Sequence, residues 1–212
     1  MKFKEFTFIY ISRDYMRKMH DVESEIFFVD TEQYEKKPHL GILTSINGQK
    51  YVIPLTSAKD KHRTWDDVTA TNYILYEIIN TEITPIDDED IIVDIKNIDV
   101  LRKKGIIPEE YHKYKKRLLS VLEIKKMFPI KDGVYTHVDF KQDLTLGLEE
   151  NQRRGLMYKE YRFCLNIRDD VEKKAKKIYE NQIKKGKVLK YHCDYKKLEE
   201  ACNQYIVENS EK

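Results

Sequence analysis

The run HLGILTSINGQKYVIPLTS at 39–57 constrains the fold more than any other part of the chain. Two apolar-rich segments flank Asn47-Gly48, the pair that most readily takes the two positive φ angles of a type I′ turn, so the run reads as a β-hairpin. Ahead of it, residues 3–11 alternate and are rich in aromatic and β-branched side chains, which predicts a strand. Ser12 then opens a short helix with Tyr15, Met16 and Met19 on one side. Further strands are expected at 73–78 and 91–98, on either side of the acidic stretch 87–90.

From Pro108 the period changes. Tyr111, Tyr114, Leu118, Val121 and Leu122 recur at helical spacing, and Glu109 and Glu110 suit the positive end of a helix dipole, so a basic-faced helix is expected here. Residues 128–140 read as extended, and helices follow at 156–167, at 171–185 with Gly186 as its stop, and at 195–207. Strands first and helices later predict an α+β fold: a twisted antiparallel sheet or partly open small barrel with helices packed against it. With 7 Gly and 5 Pro in 212 residues there is little room for linkers, and one domain spanning 1–212 is expected.

Net charge is only +2, yet the signs are segregated. Residues 77–94 carry −7 with no Lys or Arg, whereas 96–131 and 171–197 each carry +7. Such runs are ordinarily solvated surface, but two basic zones also suit a polyanion whose counterions are released on contact. Cys164, Cys193 and Cys202 show no metal-ligand spacing and read as reduced thiols. The N-terminus lacks the layout of a signal peptide and no apolar stretch approaches the roughly 20 residues of a membrane span, so a cytoplasmic protein without membrane contact is expected.

Chemistry concentrates where the hairpin ends. Thr56, Ser57 and Lys59 follow its second strand and His62 lies just beyond; hydroxyls and an ammonium can bind a phosphate, and imidazole exchanges protons near neutral pH. Tyr34, Lys36, Lys37 and His39 precede the first strand, and antiparallel pairing returns them to the level of Thr56 and Lys59. A Thr-Ser pair at a strand end is also an ordinary turn or cap. The acidic run 87–90 is the single place with metal-like composition, and consecutive carboxylates without histidine read as a solvated loop.

The segment 34–62, YEKKPHLGILTSINGQKYVIPLTSAKDKH, resembles the ToxN/AbiQ family of type III toxin–antitoxin ribonucleases, which pair a Lys and Tyr before a strand with PLTS-x-K after the next one. The opening aromatic strand and helix, Met127-Phe128-Pro129-Ile130, and the helix bearing Tyr158 and Tyr161 extend the likeness in pieces. Tyr34 lies one residue nearer its lysine than is usual in the family, and about 77–126 is longer than members usually carry there, an atypical insertion. The resemblance implies an anti-phage, abortive-infection endoribonuclease that needs no cofactor or metal. Its 2′-hydroxyl attack leaves a 2′,3′-cyclic phosphate. Lys37 and Lys59 would stabilise phosphorane charge, Thr56 and Ser57 would orient the phosphate, Tyr34 would join them, and Lys37, Lys59 or His62 would move protons.

The implied partners are mRNA substrates and a small repeated antitoxin RNA, a pseudoknot that the enzyme processes, in a cyclic protein–RNA assembly. Lys36, Lys61, Lys113, Lys115, Lys116, Arg117 and Lys190, interleaved with tyrosines, are the candidate RNA-binding residues. Two other readings stand beside this one: a ribonuclease toxin neutralised by a protein antitoxin, and a non-enzymatic nucleic-acid-binding protein.

Overall fold

The computed structural model describes residues 6–29, 39–141, 145 and 147–206. The strands are β1 (Thr7–Ile11), β2 (His39–Ile46), β3 (Gln49–Ser57), β4 (Asn72–Asn80), β5 (Ile91–Val93), β6 (Tyr114–Glu123), β7 (Phe128–Pro129) and β8 (Tyr135–His137). They form one open antiparallel sheet in the order β4-β6-β3-β2-β1-β8, with β5 paired to β6 and β7 to β3. The α+β architecture expected from the sequence is present, with the strands forming an open antiparallel sheet that does not close on itself. The helices are α1 (Arg13–Val22), α2 (Asp99–Lys103), α3 (Leu148–Asn166), α4 (Arg168–Lys185) and α5 (Tyr195–Gln204).

The hairpin turns as its sequence requires: Asn47 and Gly48 have φ of 50° and 83°, and Ile46 faces Gln49. Across the same pair Gly41 faces Pro54, so closely that a Cβ on Gly41 would lie 2.4 Å from Val52 Cγ2 and 2.9 Å from the Ile53 carbonyl oxygen. β3 is the hub. On the edge away from β2 it meets β7 through Tyr51 and Val52 and then β6 through Leu55, Thr56 and Ser57.

The main core lies where β1–β3 and β7 meet α1, α4 and α5, built from Phe8, Tyr15, Ile42, Tyr51, Phe128, Val171 and Tyr195, all fully buried. Buried tyrosine hydroxyls find acceptors, Tyr15 on the Pro129 carbonyl at 2.8 Å and Tyr51 on Glu199 at 2.6 Å. A second, smaller cluster of Ile74, Ile91, Leu118 and Val121 sits between β4, β5 and β6.

The expected helix beyond Pro108 is not formed. Residues 108–113 make a 3-10 turn and 114–123 become β6, paired with β4 from Asn72↔Glu123 to Asn80↔Tyr114. The helical spacing of Tyr114, Leu118 and Val121 loses to the sheet: Leu118 and Val121 are buried in the cluster with Ile74, Ser120 is buried on the other face, and acidic partners meet the lysines and Arg117. The strand expected over 91–98 is shorter, Ile91–Val93, whereas the helix expected from 156 begins at Leu148. α4 ends as expected at Gly186, whose φ is 60°.

Candidate active site

The end of β3 is held from two sides. Thr56 pairs with Val121 and Ser57 with Ser120, and one residue on, the Ala58 N–H donates to the Leu119 carbonyl at 3.0 Å. The chain then enters a 3-10 turn, Asp60–Thr64, closed by two reciprocal bonds: the Lys59 N–H donates to Nδ1 of His62 at 2.8 Å, and the His62 N–H donates to the Lys59 carbonyl at 2.8 Å. Arg63 ties the turn to β5 by donating to the Ile92 carbonyl at 2.6 Å. The 77–126 segment therefore builds the site's foundation, since β5 anchors the turn and β6 pairs with the PLTS strand end.

His62 is buried and lies edge-on to Trp65, with ring centroids 4.6 Å apart. Its Nδ1 accepts a hydrogen bond, which fixes the proton on Nε2. Burial, reinforced by the Lys61 and Lys59 charges, lowers its pKa, so the ring is neutral at neutral pH. Lys59 is exposed, and its ammonium lies 5.8 Å from the centre of the half-exposed Phe27 ring. Alternation along the strand puts Thr56 on the face of Val121 and the smaller cluster, and exposed Ser57 on the face of Ser120. Tyr34, Lys36 and Lys37 lie outside the described residues.

Two aromatic residues at the turn, Phe27 beside Lys59 and Trp65 against His62, were not singled out in the sequence. Trp65 sits in the polar stretch 59–67 without periodicity, and that setting was the available signal, whereas Phe27 lies within the apolar run 26–29 and reads as ordinary core.

The first basic zone and the acidic zone face each other within the sheet. Lys113 pairs with Glu82 at 3.2 Å, Lys115 with Asp94, buried Lys116 with Asp67, and Arg117 with Glu77 at 2.5 Å and Asp90 at 3.0 Å. Lys159 reaches Glu77 as well, at 2.9 Å. Burial works against the Glu77 carboxylate, but Lys159 and Arg117 hold it below the usual carboxylate range. The acidic run 87–90 is thus joined to the sheet through Asp90, while Lys61 lies 5.8 Å from the centre of the Trp65 ring.

The family model for the toxin ToxN of type III toxin–antitoxin systems matches this chain over residues 7–203. The chain belongs to the ToxN family. Endoribonuclease ToxN of Bacillus thuringiensis subsp. kurstaki is 25% identical over 202 residues, covering 92% of this chain and 81% of that protein. Solved structures share the fold. One concerns a processed non-coding RNA that regulates a bacterial antiviral system, with TM-score 0.63, 19% identity and coverage of 94% of this chain and 98% of that one. A second concerns selective toxin inhibition by a non-coding RNA pseudoknot in type III systems, with TM-score 0.63, 23% identity and coverage of 95% and 98%. A third is AbiQ, a lactococcal anti-phage endoribonuclease, with TM-score 0.58, 17% identity and coverage of 94% and 97%.

In this ToxN-family chain the second basic zone is the open one. Along α4, Lys174 pairs with Asp170 and Lys176 with Glu180, but among the described residues no carboxylate pairs with Lys177, Lys185 or Lys187. These three line a groove of about 330 Å³ together with Ile178 and Leu189. Lys190 is exposed beyond it, 4.7 Å from the ring of exposed Tyr191. No described helix is long and apolar enough to cross a membrane.

Proposed function

We propose that this protein is a sequence-specific endoribonuclease toxin of a type III toxin–antitoxin system, acting against phage in the cytoplasm. The observation that carries the reading is the rigid presentation of Thr56, Ser57 and Lys59 at the end of β3 in a chain matched to the ToxN family over 7–203. In the reaction the 2′-hydroxyl oxygen attacks the adjacent phosphorus, the bond to the 5′-oxygen breaks, and the products carry a 2′,3′-cyclic phosphate and a 5′-hydroxyl. Lysine charge and hydroxyl hydrogen bonds stabilise the phosphorane, with no metal required. Lys59 and Lys37 take the charge, Thr56 and Ser57 align the phosphate for in-line attack, and Tyr34 flanks it.

His62 serves this reading as a positioning residue. One nitrogen is already committed to the Lys59 N–H and the ring is buried, so proton transfer falls to Lys37 or Lys59. The partner is a small repeated RNA folded as a pseudoknot, cut from its precursor and retained as inhibitor in a closed protein–RNA assembly. Its phosphates are met by Lys61, by Lys177, Lys185 and Lys187 at the α4 groove and by Lys190, which among the described residues have no carboxylate partner. Cleavage of a mixed RNA substrate by wild type but not by Lys59→Met tests the reading.

A further inference from the structure

Next to the Lys59 turn, on the face of the sheet that Thr56 shares with Val121, lies a cavity of about 300 Å³. It is lined by the rings of His62 and Trp65, by Ile74, Val93 and Leu118, and by a polar set of Asp66, Asp67, Asp94 and Asn97 with Arg63, Lys96 and Lys116. His62 belongs to both structures: one nitrogen fixes Lys59, and the ring forms a cavity wall. The cavity therefore adjoins the Lys59 turn through the His62 ring.

The lining suits a flat heteroaromatic ring with a polar edge. Indole, imidazole and branched aliphatic side chains offer apolar surfaces to the faces of a base, and stacking on an aromatic ring is a general means of holding an unpaired base. The volume is at the lower end of the roughly 300–1,000 Å³ of small-ligand sites, which fits one nucleobase. The polar set is selective as well. Asp67 and Asp94 are occupied by Lys116 and Lys115, and the Asn97 side-chain oxygen accepts the Asp99 N–H at 3.0 Å. Asp66 is left: among the described residues no cation pairs with it, so its carboxylate can accept from an amino group. The Asn97 amide nitrogen can donate to a neighbouring ring nitrogen or carbonyl.

Resting on the ribonuclease reading, we infer that this cavity binds the base of a nucleotide flanking the scissile phosphate, and selects adenine or cytosine, which bear an exocyclic amino group, over uracil. Trp65 supplies the stacking surface and Asp66 the discrimination.

Trp65 is the one tryptophan of the chain, so its fluorescence reports on the cavity without any need for catalysis. The probes are 2′-O-methyl tetranucleotides of adenine, cytosine and uracil, which lack the attacking hydroxyl. Wild type should show saturable changes in emission with the adenine or cytosine probe at concentrations at least tenfold below those needed for uracil, the size of one good base-edge contact. Asp66→Asn should erase that tenfold difference while still binding, and its unfolding midpoint should match that of wild type. Emission unmoved by every probe, identical titrations for the three bases, or a difference that survives in Asp66→Asn would each overturn the inference. Because nothing is cleaved, these outcomes are separate from failure of the ribonuclease reading, which a cleavage assay reports.

Discussion

The Lys59 backbone N–H donates to Nδ1 of His62 across 2.8 Å, and the His62 N–H returns to the Lys59 carbonyl at 2.8 Å. A turn closed twice between residues 59 and 62 gives Lys59 a fixed origin for its side chain, and it does so with a neutral imidazole that acts as acceptor.

That role separates two substitutions. His62→Asn keeps an acceptor near the position of Nδ1 and should retain cleavage within about tenfold of wild type, whereas His62→Ala should lose on the order of 100-fold through misplacement of Lys59. Single-turnover cleavage rates check this. If both variants are equally inactive, His62 carries a proton and is not merely a support.

Glu160 is buried against Ser120, and burial raises its pKa to about 7. A carboxyl whose folded pKa lies above its unfolded value of 4.5 gives stability that is complete below 4.5 and is lost as pH rises through about 7. Glu160→Gln removes that dependence and should stabilise the protein at pH 8 by on the order of 3 kcal/mol. Urea unfolding at pH 5 and pH 8 checks it: the gain should appear at pH 8 and be nearly absent at pH 5.

Gly41→Ala should destabilise the fold by about 1–3 kcal/mol, because the added methyl meets Val52 and the Ile53 backbone in a sheet interior that cannot give way. The denaturation midpoint should fall with an unchanged m-value.

Much of this architecture was legible in the sequence, and what was missed has physical causes. Asn47-Gly48 fixed the hairpin because its turn is local chemistry, and the PLTS-x-K segment fell at the strand end where the structure has it. The segment at 114–123 misled because Tyr114, Leu118, Val121 and Leu122 fit a helical period, while their pairing partners in β4 lie some 40 residues earlier. The same long-range pairing hid the fate of Lys113, Lys115, Lys116 and Arg117, whose charges are met by Glu82, Asp94, Asp67 and Glu77. The role of Trp65 went unread because the cavity it lines is assembled from residues as far apart as 62 and 118.

The two basic zones should accordingly behave differently. Lys115→Ala, whose charge is answered by Asp94, should leave RNA affinity within about twofold. Replacing Lys177, Lys185 and Lys187 together should weaken binding and reduce the slope of log affinity against log salt by about 2, from roughly 0.7 per single-strand phosphate contact. Binding isotherms across salt concentrations measure both.

The most direct measurement incubates wild type and Lys59→Met with mixed RNA in excess EDTA and analyses the ends of the fragments. Fragments with 2′,3′-cyclic phosphate and 5′-hydroxyl ends from wild type alone, with both proteins equally folded, are the expected result. Intact RNA in both samples, or equal cleavage by Lys59→Met, would contradict the assignment of ribonuclease chemistry to the end of β3.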